Sequence, residues 1–366
     1  MISIARKNLF AEKTRLFISV GGVAFSVLLI LVLLSLYQGW QSIITGFINS
    51  VKADLWVMQE GASDMFHSVS IVPLKTQEKL EEVEGVEKVE RLLMRQISFE
   101  LEGEKAIVYL VGYKERGGPV EVISGEGSPK KGEVVIDEVF ANNKDLGIGD
   151  EITISGKKLR IVGISKGGNF IFSQLAFVPL AEAEEILEMQ GLTNFFLVSL
   201  ADGRKPGDVA GRINQSVPGV KALSHKQFLA NNEKILEESF LPVIYVLVLI
   251  SFGVGVAVIG LTVYTAVVEK SQEYGILKAI GAGNSYLYRT IFEQSLISAL
   301  LGFVIGVVLA YGVNYVASAY VPEFVTEMQS QDVLLVFGAS ILMSLLASYI
   351  PVKKIAGIDP MEVFRS

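Results

Sequence analysis

The sequence has no cysteine and only two histidines, His67 and His225. A disulfide framework, a Cys-ligated zinc site and a thiol nucleophile are therefore excluded, and a multi-histidine metal centre has too few ligands. Charge is scarce as well. Asp, Glu, Lys and Arg make up 19% of 366 residues, against the ~25% usual for soluble domains. The net charge of -7 offers no basic excess to draw nucleic acid. No G-x-x-x-x-G-K-[ST] phosphate loop, H-E-x-x-H or G-x-S-x-G occurs. Gly253, Gly255 and Gly260 miss the G-x-G-x-x-G spacing, and the glycine-rich stretch 125–132 reads as a surface turn. The two histidines read as single exposed side chains. No catalytic residue, resident cofactor or metal site is expected in this chain.

What is present is apolar: 51% of the residues, with a mean hydropathy of +0.46. Four windows hold no Asp, Glu, Lys or Arg: Arg15 to Lys52, Glu238 to Glu269, Glu293 to Glu323, and Asp332 to Lys353. Each exceeds or matches the roughly 20 apolar residues needed to cross about 30 Å of hydrocarbon. The expected transmembrane helices are 17–37, 242–266, 295–319 and 333–351. The first apolar run outlasts a signal-peptide core and no Ala-x-Ala site follows it, so it reads as a retained anchor.

Lys and Arg near the span ends set the orientation. Arg6, Lys7, Lys13 and Arg15 precede the first span, Lys270, Lys278 and Arg289 separate the second from the third, and Lys353, Lys354 and Arg365 follow the fourth. The loop between the third and fourth has only Glu323, Glu327 and Asp332. Both termini and the 269–293 loop are thus expected in the cytoplasm of a multi-pass cell-membrane protein. Residues 52–238 carry 22 basic and 30 acidic groups and lie outside.

That segment alternates apolar and polar residues at 97–101, 106–111, 134–136, 152–154, 159–164, 176–178 and 196–200, a pattern of strands. Helical patterns occur at 76–83, 139–146, 180–189 and 206–216. The fold class is therefore an α-helical membrane protein with four transmembrane helices plus a large α+β extracytoplasmic domain inserted between helices 1 and 2. The expected organisation is a cytoplasmic amphipathic helix at 1–16, helix 1 and a stalk at 17–51, the outer domain at 52–225, and a second stalk with helices 2–4 at 226–366. Within the outer domain, Glu84-Gly85-Val86 and Pro218-Gly219-Val220 each follow a helical pattern, an internal echo compatible with a split β-α-β unit. Residues 125–180 read as a small β-rich insert.

Two short segments are candidates for mechanism. Ser298, Gly302, Gly306, Ala310 and Asn314 recur every four positions and make one smooth helix stripe, suited to close packing on another helix or subunit. In the inner loop, Glu269, Lys270, Glu273, Tyr274, Gly275, Ile276, Leu277, Lys278, Ala279, Ile280 and Gly281 open charged and turn amphipathic. Ile276, Leu277 and Ile280 fall at helical spacing, which predicts a short helix with an exposed apolar edge for a partner groove.

This loop resembles the signature loop of the FtsX/MacB-like ABC transporter permeases. Glu273, Gly275, Lys278 and Gly281 match its pattern, while Lys270 and Gln272 stand where arginines are common. Ala5-Arg6-Lys7-Asn8-Leu9, Val134–Asp137, Leu146–Ile152, Leu159–Ile164 and Pro351–Glu362 resemble other segments of that family. The resemblance implies a non-catalytic permease subunit that pairs with a second, identical or different, permease subunit. It also implies a separate cytoplasmic ABC ATPase that binds ATP and Mg and docks on residues 269–283. Members of this type are mechanotransmission machines, moving an outer domain to export a substrate, sometimes with an extracytoplasmic adaptor. The alternative is an FtsX-like regulator that switches an extracellular cell-wall hydrolase.

Overall fold

The computed structural model describes residues 11–65, 68–170, 173–321 and 324–357. His67, the Ala5–Leu9 segment and the Ile358–Glu362 end of the tail motif lie outside the described residues.

In chain order the elements are α1 (Lys13–Ser50), β1 (Leu55–Gln59), β2 (Val72–Pro73), α2 (Thr76–Glu81), β3 (Val86–Leu101), β4 (Glu104–Tyr113), β5 (Glu121–Gly125), β6 (Glu133–Asp137) and α3 (Glu138–Asn143). Then come β7 (Glu151–Ile154), β8 (Lys157–Lys166), β9 (Asn169–Phe170), β10 (Ser173–Pro179), α4 (Leu180–Ile186), β11 (Leu192–Thr193), β12 (Phe195–Leu200), α5 (Pro206–Ser216) and β13 (Val220–Ser224). The chain closes with α6 (His225–Glu269), α7 (Ser271–Ala279), α8 (Asn284–Tyr320) and α9 (Ser330–Ala356). It divides into two units, one holding the chain through Gly39 and from Phe240 onward, the other Trp40–Ser239. Both divisions fall inside helices, α1 and α6.

In the helical unit, α1, α6, α8 and α9 are each long and apolar enough to cross a membrane. The helices outrun the charge-free windows. The 38 residues of α1 and 45 of α6 correspond to about 57 and 68 Å at ~1.5 Å per residue. Val23, Val27 and Ile30 of α1 meet Ile259 and Val263 of α6, Leu287 and Ile291 of α8, and Met343 and Ala347 of α9. The outward faces are apolar too: Leu249, Val308 and Leu334 are exposed. A bundle apolar inside and out suits lipid rather than water. Several of its hydroxyls turn back onto their own helices, while those of Ser19, Ser26, Ser295 and Ser298 are buried without a hydrogen-bond partner among the described residues. Thr262 Oγ1 donates to Val258 O (2.7 Å), Ser340 Oγ to Val336 O (2.9 Å) and Ser348 Oγ to Ser344 O (2.9 Å). Such bonds keep a polar group satisfied where no water is at hand.

The outer unit is organised by β3. Its sheet of 11 strands runs β13-β1-β12-β3-β4-β10-β6-β8-β5, with β7 on β8 and β9 on β10. The first half of β3 pairs antiparallel with β12, and the second half antiparallel with β4. On one side, β1, α2, β3, β12, α5 and β13 form the split β-α-β arrangement behind the internal echo. Gly85 (φ +97°) and Gly219 (φ +79°) make the corresponding turns out of α2 and α5. Leu55, Leu80, Phe196, Val198 and Ile213 pack this lobe. On the other side, β10 pairs parallel with β4 and β6 parallel with β8. Leu110, Ile136, Phe140, Ile161, Val178 and Ala183 fill that second core.

The strands within 125–180 do not form an appendage. β10 lies between β4 and β6, so the second lobe begins at the middle of β3 and belongs to one sheet. Glu87, Lys88, Glu90 and Arg91 hide this continuity in the sequence, because they interrupt the alternation over the first half of β3. β1 was also not anticipated. Its first four residues are all buried, so it shows a run rather than an alternation.

Candidate functional site

The inner-loop segment forms α7, framed by two glycines. Gly283 precedes α8, and Gly281 (φ +96°) ends α7 in the left-handed conformation that only glycine adopts cheaply. The chain closes there with Gly281 N donating to Lys278 O (3.0 Å) and Ala282 N to Leu277 O (2.9 Å).

The two faces of α7 differ. Tyr274 and Gly275 are buried, and Leu277 packs with Tyr274 on the core of the helical unit. Ile276 (49% exposed) and Ile280 (75%) stand outward, on the same side as the exposed Gln272, Glu273 and Ala279. This corrects the expected apolar edge: Leu277 faces the bundle, because the 100° step between neighbours turns it away from Ile276.

Charge contacts hold the ends of α7. Arg15 Nη2 donates to Glu269 Oε2 (2.7 Å), Lys270 Nζ pairs with Glu12 Oε1 (3.1 Å), and Glu12 also pairs with Arg15. Lys278 Nζ donates to Ala356 O (3.0 Å). Glu12, Arg15 and Ala356 were missed as partners. Glu12 and Arg15 do carry a local signal, opposite charges three apart at a helix start.

The small-residue stripe finds its partner within the chain. A Cβ on Gly302 would lie 2.5 Å from Val23 Cβ and 3.0 Å from Val20 O; one on Gly306 would lie 2.7 Å from Val27 Cβ and 2.8 Å from Ala24 O. Ser298 and Ala310 are fully buried, and Asn314 Nδ2 donates to Ser35 Oγ (3.3 Å). Residue numbers rise together along α1 and α8, so the two helices run parallel at near backbone contact. α6 runs the other way, with Gly22 beside Val258 and Gly255 beside Ser26.

In the outer unit His225 is not a lone exposed side chain. Trp56 Nε1 donates to its Nδ1 (3.5 Å), which leaves Nε2–H to donate to Asn49 Oδ1 (3.2 Å). Trp56 also stacks on Phe228 (4.5 Å between centroids). This is a structural joint between β1, α1 and α6. Asp137, fully buried at the start of α3, accepts from Val139 N (2.9 Å) and Gly168 N (3.0 Å). Burial outweighs those bonds and pushes its carboxyl from 3.8 to about 6. Among the described residues no group of three His, Asp or Glu side chains is placed to hold a metal ion.

These features define a multi-pass membrane protein with a two-lobed α/β domain between its first and second spans, and a short helix set on the bundle beside the starts of α1 and α8. Residues 16–216 match the MacB-like periplasmic core domain, and residues 245–360 the FtsX-like permease C-terminal domain. The chain belongs to the FtsX/MacB-like permeases of ABC transporters. An uncharacterized ABC transporter permease of Methanocaldococcus jannaschii is 25% identical over 395 aligned residues, covering 100% of this chain and 97% of that one. The export ATP-binding/permease protein MacB of Pseudomonas entomophila is 23% identical over 59% of this chain, and the match spans 34% of that protein's length. The crystal structure of the periplasmic region of MacB from Actinobacillus actinomycetemcomitans covers 49% of this chain and 92% of its own, at 10% identity and a TM-score of 0.38.

Proposed function

We propose that this chain is the membrane subunit that turns ATP hydrolysis by a separate cytoplasmic ATPase into motion of its outer unit, for export of a substrate from the outer side of the membrane. The observation that carries this reading is α7, a helix fastened on one face and presenting Ile276 and Ile280 on the other. An exposed apolar edge on a held helix suits a groove in a partner protein. The ATPase supplies the ATP and Mg site, and a second permease subunit completes the pair within the lipid.

The orientation reading has support in the contacts. Arg15 meets Glu269 and Lys278 meets Ala356, so the basic residues at the ends of α1, α6 and α9 gather at one end of the bundle. By the positive-inside rule that end is cytoplasmic. The units divide inside α1 and α6, so each unit continues covalently into the other through helix.

The test is reconstitution of the full chain with its ATPase. The double change Ile276→Asp, Ile280→Asp is expected to abolish copurification and lower the stimulated ATP hydrolysis at least about tenfold, the loss of an apolar anchor from an interface. If both readouts match the unaltered chain, α7 is not the docking helix.

A further inference from the structure

We propose that a recess of about 450 Å³ in the outer unit binds an amphipathic organic monoanion, its apolar body against Met65, Met94, Met189 and Phe195 and its acidic group at Arg95. This deepens the export reading and rests on it for the direction of transport, while binding itself stands apart from ATP coupling.

The volume falls within the roughly 300–1,000 Å³ of small-molecule sites. Three of its lining side chains are methionines, unbranched and polarisable, which adapt to apolar ligands of varied outline. Phe195 adds an aromatic wall whose edge contacts to Trp56 (5.7 Å) and Phe228 (5.9 Å) fix its position. Val69 (79% exposed) and Ile71 (44%) border the recess, so apolar surface is left to solvent at its mouth.

Seven of the fourteen lining residues are polar, and the two charged ones are Arg95 and Glu188. Arg95, on β3, is exposed and has no ion pair among the described residues. Tyr109, on β4, is half-buried, and burial pushes its hydroxyl above the usual phenol range. Glu188 also lines the recess without pairing with Arg95. Its negative charge disfavours a ligand with several acidic groups, which restricts the class to one.

The wall of the recess is tied to two elements. Asn194 accepts from Met94 N (2.8 Å) through Oδ1 and donates to Ser70 O (2.7 Å) through Nδ2, joining the β1–β2 connection to β3. At the other end of that connection, Met65 N donates to Asn232 Oδ1 (3.0 Å), and Asn231 Nδ2 donates to Ser63 O (3.0 Å). Both asparagines belong to α6. Turning of α6 at this level therefore pulls on one wall of the recess, which is what a site that must release its ligand requires.

The test uses the full chain in lipid nanodiscs with [methyl-13C]methionine, titrated with dodecanoate. Saturable shifts are expected at Met65, Met94 and Met189, with Met58 of β1 and with Met328 and Met343 of the helical unit unmoved. Arg95→Glu is expected to weaken half-saturation at least about tenfold, the loss of one charge-assisted hydrogen bond, with the Met58 signal reporting an intact fold. Arg95→Gln gives a smaller loss in the same direction. No saturable shift, equal shifts at all the methionines, unchanged half-saturation in both Arg95 variants, or equal binding of dodecyltrimethylammonium would each overturn the proposal. ATP hydrolysis does not enter this readout, so a negative result leaves α7 docking intact, and a failure of α7 docking leaves the titration intact.

Discussion

The two units treat their buried polar groups differently. In the outer unit such groups bond across elements. Asp137 of β6 holds Gly168, Glu182 of α4 accepts from Gly132 N (3.0 Å), and Asn232 of α6 holds Met65. In the helical unit the hydroxyls of Thr262, Ser340 and Ser348 turn back onto their own helices and tie nothing together. There the helices join mainly by shape, where Gly302 and Gly306 admit Val23 and Val27, with the Asn314–Ser35 hydrogen bond beside them. The sheet unit is thus fixed by packing and cross-element bonds, and the bundle by close backbone approach.

The sharpest way to break that contrast is in the sheet core. Phe196→Ala empties a fully buried site in β12 and is expected to cost about 3–5 kcal/mol. Hydrogen exchange should quicken across β1, β3 and β12 and stay unchanged in α8.

Next is the acid of β6. Its folded value stands above its unfolded one, so its contribution is complete below about pH 4 and is lost as pH rises through about 6. The difference of about two units corresponds to roughly 3 kcal/mol. Asp137→Asn is expected to flatten the pH dependence of outer-unit unfolding between pH 4 and 7, read from the exchange of the Val139 and Gly168 amides. An unaltered slope would remove Asp137 as its source.

In the bundle, Gly302→Ala places a Cβ against Val23 and is expected to cost about 1–3 kcal/mol. Gly312→Ala, with open space around it, is the control and should leave the thermal midpoint in detergent unchanged. Equal effects of the two would mean that the stripe does not set the packing. The smallest effect belongs to the surface. Lys144 holds the Glu104 carboxyl below its usual range, yet the pair is solvated, and Glu104→Gln is expected to leave the midpoint where it was.

The bundle was legible in the sequence because membrane helices declare themselves by missing charge. Nothing between Glu238 and Glu269 interrupts the apolar run, and α6 covers it entirely. The outer unit was legible where one strand face meets solvent, as in β8 with its alternating burial. It was not legible in β1, buried nearly throughout, or in β5, exposed throughout, since neither shows a period of two. Within α7 the sequence showed the amphipathic character but not which apolar residue turns inward. Ile276 and Leu277 are chemically alike, and only the Tyr274 contact separates them. The recess was invisible for another reason: Met65, Met94 and Met189 are far apart in the chain and meet only through the sheet.

The stripe on α8 also behaves like a graduated scale. Its marks repeat every four residues, and so do Val23 and Val27 opposite. A slide of one mark, about 6 Å, sets Gly302 against Val27 but Ser298 against Val23, where the Cβ of the serine meets the valine that a glycine had cleared. The two glycines therefore read one register, a notch for each valine. The Asn314–Ser35 hydrogen bond marks the same register, because it forms there and is broken in the next. One amide at the far end of the stripe thus repeats the zero point of the scale.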